Sequence, residues 1–302
     1  MIAAQSNATT SREKPAKKGA RSPSLKRTQR PPRIVAKKIA KKRILIVTPE
    51  ITYLPTGMGN LAQRINAKGG GLADVSASLV NALFHHGADV HVALPNYRQL
   101  FQTDSWALAK GKVERYKGIP ENRIHLAQDR AFFYRSAVYA KVGMDHIVKV
   151  ALAFQREVIN RIIPEVRPDV IHCNDWMTGL IPAAARRFGI PCLFTVHNIH
   201  TEQTTMEAIE DRGIDAAAFW EHLYFFSRPE CYEESRSSNP VDLLTSGIFA
   251  SHFINTVSPT FLKEVAHGRH NFVQGHIQAE IANKNAAGCA TGILNAPDAS
   301  YH

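Results

Sequence analysis

The stretch K-G-G-G-L-A-D-V-S-A-S-L-V-N-A-L-F-H-H-G-A-D-V-H-V-A-L-P, residues 68–95, decides the fold. Three glycines follow Lys68. Leu72, Val75, Leu79 and Leu83 then recur at helical spacing, and Gly87 is a suitable helix stop. Residues 88–95 read as a strand, and R-I-L-I-V-T, 43–48, is a β-branched run of the kind that forms a buried parallel strand. Strand, crossover helix and strand within about 50 residues make a βαβ unit, and hence a parallel sheet. The alternation continues. Residues 146–163 are helical in period, 169–174 are a strand, 181–189 a helix ending at Gly189, and 191–198 a strand. Residues 241–250 read as a helix and 253–257 as a strand. Ser258 then caps a helix with Pro259 at its first position. The pattern predicts an α/β, doubly wound Rossmann-like parallel sheet.

The formal charge of +11 is misleading until it is localised. Residues 1–43 hold 14 of the 37 Lys and Arg but one of the 26 acids, so the rest of the chain is close to neutral. The segment 1–42 is rich in Pro, Ser, Lys and Arg and poor in large apolar residues, so it is expected to be a disordered basic tail. A solvated extension is the plain reading. Contact with nucleic acid or another anionic surface, or an organelle transit peptide directing a plastid location, are the alternatives. The four cysteines are widely spaced with no C-x-x-C pair, which argues against a zinc ribbon or disulfide framework and suits a reducing, cytoplasmic compartment. No run of about 18 apolar residues is present, so no membrane contact is expected.

Two glycine signals compete. Gly57-Met58-Gly59-Asn60-Leu61-Ala62 matches the dinucleotide fingerprint formally. It stands away from the end of the first strand, however, and the second strand ends in Leu94-Pro95 without the acidic residue the fingerprint needs. The run Lys68-Gly69-Gly70-Gly71 sits directly before the helix. Backbone N–H groups without a Cβ in the way, a helix N-terminus and a lysine together make an anion site; a flexible joint is the alternative. Asp74 is either part of such a site or a carboxylate complementing the helix dipole. Asp175 and His197 fall at carboxyl ends of strands, where open α/β sheets bind ligands. Asp175 could equally cap a helix, His197 could be a buried hydrogen-bonded imidazole, and Trp176 reads as core. His172, His197 and His200 have no supporting ligand set, so no metal is expected.

The order of I-L-I-V-T-P-E, K-G-G-G-L-A-D-V, H-C-N-D-W-M-T-G-L, T-V-H-N, T-V-S-P-T-F and G-I-L-N resembles bacterial glycogen synthase and plant starch synthase. Those enzymes carry K-T-G-G-L-A-D-V, H-x-H-D-W, T-V-H-N, [TA]-V-S-P-T-[YF] and G-[IV]-L-N-G-[IV]-D in the same order. The resemblance implies a GT-B arrangement, with residues 43–302 as the N-terminal Rossmann-like domain. It implies glucosyl transfer from ADP-glucose to the non-reducing end of an α-1,4-glucan with retention, and no cofactor. Lys68, Gly70 and Gly71 would then approach the donor's phosphates and glucose. Asp74 and Asp175 would line the sugar side, His197 would lie near the reacting carbon, and Asn295 would sit at the crossover toward a second domain.

Departures from the family pattern are local. Gly69 replaces Thr, Asn174 replaces the His of H-D-W, and T-V-H-N continues as I-H-T-E-Q. Ala296-Pro297 replaces a glycine hinge, and about a dozen extra residues, roughly Thr56–Ala67, suggest a lid-like insertion. The family's C-terminal donor-binding domain has no counterpart before His302. The resemblance therefore implies that this chain alone lacks useful transferase activity and works with a C-terminal half or a second chain.

Overall fold

A computed structural model describes residues 41–59, 61–101, 123–139 and 144–296; the tail expectation for residues 1–42 therefore falls almost wholly outside them, as do Pro297 and Asp298. The strands are β1 (Arg43–Val47), β2 (Asp89–Pro95), β3 (Ile124–Ala127), β4 (Val170–Asn174), β5 (Cys192–Val196), β8 (Phe253–Thr256) and β9 (Ala290–Gly292). They form one sheet in the order β3-β2-β1-β4-β5-β8-β9, with every pairing parallel. Two short strands, β6 (Gln203–Thr204) and β7 (Val241–Asp242), pair antiparallel beside it. Strands are added outward on both sides of the β1–β4 pair, which makes that pair the point where winding reverses.

The helices are α1 (Gly71–His85), α2 (Arg130–Phe133), α3 (Met144–Glu157), α4 (Ile163–Val166), α5 (Ile181–Arg186), α6 (Met206–Glu210), α7 (Leu243–Ala250), α8 (Pro259–Ala266) and α9 (Gly275–Ala286). Their ends follow local chemistry. Gly87 and Gly189 take left-handed φ after α1 and α5. Ser258 caps α8 by accepting from the Phe261 amide, and Asp242 caps α7 by accepting from the Thr245 amide. None of the described helices is long and apolar enough to cross a membrane.

Two expectations change. Of the Leu72/Val75/Leu79/Leu83 stripe, α1 fully buries only Leu72. It also buries Ala73, Ser76, Ala77 and Val80, with Val75, Leu79 and Leu83 only partly covered. Small side chains let α1 approach β1 closely enough for Ser76 Oγ to meet Thr48 Oγ1 at 3.0 Å. The segment 56–67 is not a lid. Ile51 and Ala67 exchange backbone hydrogen bonds of 3.0 and 2.9 Å, closing the loop at its base. Met58, Ala62, Ile65 and Ala67 are buried in the main core, which makes the loop a packed Ω-type excursion carrying the spurious glycine fingerprint.

Two glycines show how tightly the layers close. A Cβ on Gly179 would lie 1.8 Å from the Leu243 carbonyl oxygen, whereas one on Gly71 would meet nothing within 4 Å. Gly179→Ala is therefore expected to destabilise the fold by roughly 3 kcal/mol or more, because backbone must move. Gly71→Ala should be neutral or stabilising by up to about 1 kcal/mol. Urea unfolding of the two variants beside the native chain measures the contrast.

Candidate active site at the strand switch point

Glu50, Asp175 and His197 follow β1, β4 and β5 within three residues of each strand's end, so the sheet delivers all three to its carboxyl edge. There they line a cavity of about 680 Å³ together with Gly70, Gly71, Tyr139, Trp176, Glu202 and Asn295. Among the proposed site residues, the structure brings Gly70, Gly71, Asp175, His197 and Asn295 to this cavity. Lys68 and Asp74 stand beside it, joined by a half-exposed ion pair of 2.7 Å, with Thr52 Oγ1 also donating to Asp74 at 2.5 Å.

The glycine run has an occupant that the sequence did not reveal. Glu50 Oε2 accepts from the amides of both Gly69 and Gly70, the latter at 2.8 Å. Its Oε1 accepts from the Tyr139 hydroxyl at 3.3 Å. An internal carboxylate thus holds the position that an anion cradle offers to a phosphate. Burial raises the Glu50 carboxyl above its usual range, and this outweighs the pull of the two amides and the phenol in the other direction. A Cβ at Gly69 would lie 2.6 Å from the Tyr139 ring and 2.7 Å from Glu50 Oε2, so a side chain there would displace one or both of them. Threonine, the family residue, would clash with this arrangement. Gly71 faces open space.

Asp175 has φ 64° and ψ 178°, a region that residues with a Cβ seldom adopt. The conformation is held by its amide donating to Thr195 O at 3.0 Å and by its carbonyl accepting from Thr178. The buried carboxylate accepts from the Trp176 amide at 3.1 Å and from Asn198 Nδ2 at 2.8 Å. Burial still dominates those bonds and, with the Glu50 charge, pushes the Asp175 carboxyl up to about 8. Asp175 caps the short turn Trp176–Thr178 and also lines the cavity.

His197 Nε2 is 3.0 Å from Asn174 Oδ1. Burial, reinforced by His172, lowers the His197 imidazole to about 3, so the ring is neutral in ordinary buffers. Further along, His200 Nε2 lies 3.1 Å from Glu202 Oε1 but out of hydrogen-bond alignment, and its ring stands edge-on to Trp176. Glu50, Tyr139, Asn198 and Glu202 were not singled out in the sequence. Glu50 stood in the quoted strand motif with no role, and Tyr139 comes from 89 residues away with no motif around it. No lysine or arginine lines the cavity among the described residues. Chemically, the wall combines the carboxyl groups of Glu50, Asp175 and Glu202 with the Tyr139 hydroxyl, the His197 imidazole and the amides of Asn198 and Asn295 beside one buried tryptophan, a mixture suited to hydroxyl groups.

A family profile for the starch synthase catalytic domain matches residues 43–279. Glycogen synthase of Moorella thermoacetica is 30% identical over 247 residues, covering 74% of this chain and 45% of that protein. Glycogen synthase 1 of Nitrosococcus oceani is 27% identical over 282 residues, covering 84% and 52%. The chain thus spans about half the length of the curated relatives it matches. Among solved structures, the catalytic domain of starch synthase IV from Arabidopsis thaliana, bound to ADP and acarbose, aligns with a TM-score of 0.59 at 20% identity. It covers 86% of this chain and 53% of that one, a likeness in fold to a GT-B enzyme. The profile match takes in the glycine run, Asp175 and His197, and the chain belongs to the starch synthase catalytic domain family.

Proposed function

We propose that this chain forms the glucosyl- and glucan-side half of a retaining glucan synthase site, which transfers glucose from ADP-glucose to the non-reducing end of an α-1,4-glucan. The observation that carries the reading is the cavity lined by carboxyl, amide and imidazole groups at the strand switch point, in a chain of this family. Asp175, largely protonated at neutral pH, and neutral His197 address sugar hydroxyls, and Trp176 supplies an apolar edge. Asn295 closes the side toward a second Rossmann domain.

The leaving diphosphate needs preorganised positive groups. Here the Gly69 and Gly70 amides bind Glu50 and Lys68 pairs with Asp74, so those groups belong to a C-terminal half or second chain. Residues 43–302 are accordingly one domain of a two-domain enzyme. The carboxylate on the glycine run also favours a second reading, a glucan-binding protein of this family that does not transfer glucose.

Incorporation of labelled glucose from ADP-glucose into glycogen separates the two. The chain alone is expected to bind glycogen and incorporate nothing. Joined to the C-terminal domain of a relative it should incorporate glucose, and failure there with glycogen binding retained selects the second reading. Glu50→Gln keeps an acceptor for the loop amides and removes a negative charge. It should tighten ADP binding by roughly three- to tenfold in calorimetric titration.

Asp175 also makes a pH prediction. Its folded value of about 8 lies above the unfolded 3.8, so the folded state holds the proton more tightly. Its contribution to stability is therefore present at low pH and is lost as pH rises through that window. Asp175→Asn removes the titration. The melting temperature of the variant relative to the native chain should rise by a few degrees between about pH 4 and pH 8, while glycogen binding weakens.

A further inference from the structure

His197 and Asn174 stand on neighbouring strand ends, and a chain of obligate donors and acceptors settles where the imidazole carries its proton. The Val47 carbonyl can only accept, and Asn174 Nδ2 lies 3.1 Å from it. That contact fixes the amide's orientation and turns its Oδ1 toward His197 Nε2, 3.0 Å away. An amide oxygen can only accept, so Nε2 must hold the hydrogen. Asn174 is 2% exposed, so the reverse orientation would press two carbonyl-type oxygens together out of reach of solvent. The second ring nitrogen, Nδ1, has no hydrogen-bond partner among the described residues, and the ring lines the cavity.

We infer that Asn174 is a positioning residue that locks His197 as the neutral Nε2–H tautomer and so makes Nδ1 a lone-pair acceptor for a ligand hydroxyl. The family pattern has histidine at this position, and an imidazole can run its donor and acceptor in either direction. An amide pinned by Val47 cannot. Burial of the His197 ring supports the neutral state. With the carboxyl groups of Glu50 and Glu202 on the same wall, the cavity then favours donors. An unmodified sugar hydroxyl is accepted, and a carboxylate or phosphate at that place is rejected. The ligand part of this inference rests on the glucan-site reading; the tautomer does not.

Long-range ¹H–¹⁵N spectra of the labelled native chain at neutral pH test the tautomer without any ligand. The His197 ring is expected to show the Nε2–H pattern as a single neutral species. Asn174→Leu removes the acceptor and leaves a buried N–H unpaired, so the proton should move to Nδ1. Binding of maltotriose should then weaken by roughly tenfold. An Nδ1–H or mixed pattern in the native chain overturns the inference, as does a folded Asn174→Leu variant with an unchanged ring pattern or unchanged maltotriose affinity. If Asn174→Leu does not fold, the native spectrum decides alone. A native Nε2–H ring in a chain that binds no maltotriose supports the tautomer and overturns the glucan-site reading.

Discussion

The carboxylate of Glu50 is the interaction on which the rest of the site depends. It joins three pieces of chain: the end of β1, the glycine run before α1, and Tyr139 ahead of α3. A buried carboxylate is tolerated only where hydrogen bonds compensate it, and here two amides and a phenol do so. The same bonds define the cavity wall, since Gly70, Gly71, Tyr139 and Glu50 all line it. A side chain at the first glycine would displace the Tyr139 ring, and the third glycine faces open space. The run is neither a joint nor a vacant phosphate cradle.

The fold is legible in the sequence where physics leaves one solution. R-I-L-I-V, V-I-H-C-N, C-L-F-T-V and F-I-N-T are runs buried over most of their length, and the helices between them carry clear stops at Gly87 and Gly189. β3 and β9, with four and three residues, are not legible. They owe their strand state to pairing with β2 and β8 and carry no pattern of their own. The buried face of α1 is not legible for a related reason. Large apolar residues mark the period, but the small ones decide how near the helix can come to β1.

The site divides the same way. Asp175 and His197 are readable because the ends of parallel strands collect ligands, and Gly71 because a helix begins there. Glu50 and Tyr139 are not, because their roles arise from long-range closure. Several departures from the family pattern also become intelligible together. Gly69 goes with the Tyr139 ring that fills the space of a threonine, and Asn174 goes with the imidazole it faces. The histidine and glutamate of I-H-T-E-Q become neighbours on the cavity wall. Each is a local exchange in which the partner on the adjoining element can be named.

The Ile51–Ala67 bridge separates loop length from site geometry. Glu50 lies immediately before the bridge and Lys68 immediately after it, so both are held in place from the base of the loop. Thr52, Met58, Ala62 and Ile65 tie the loop to α1 and the core, whereas Gln63 and Arg64 are exposed, and residues added there lengthen the loop at an entropic cost that grows only slowly with length. The exposed Gln63–Arg64 pair is therefore the point of variation, where a reporter peptide or a recognition segment could be inserted while the buried residues on either side hold the closure.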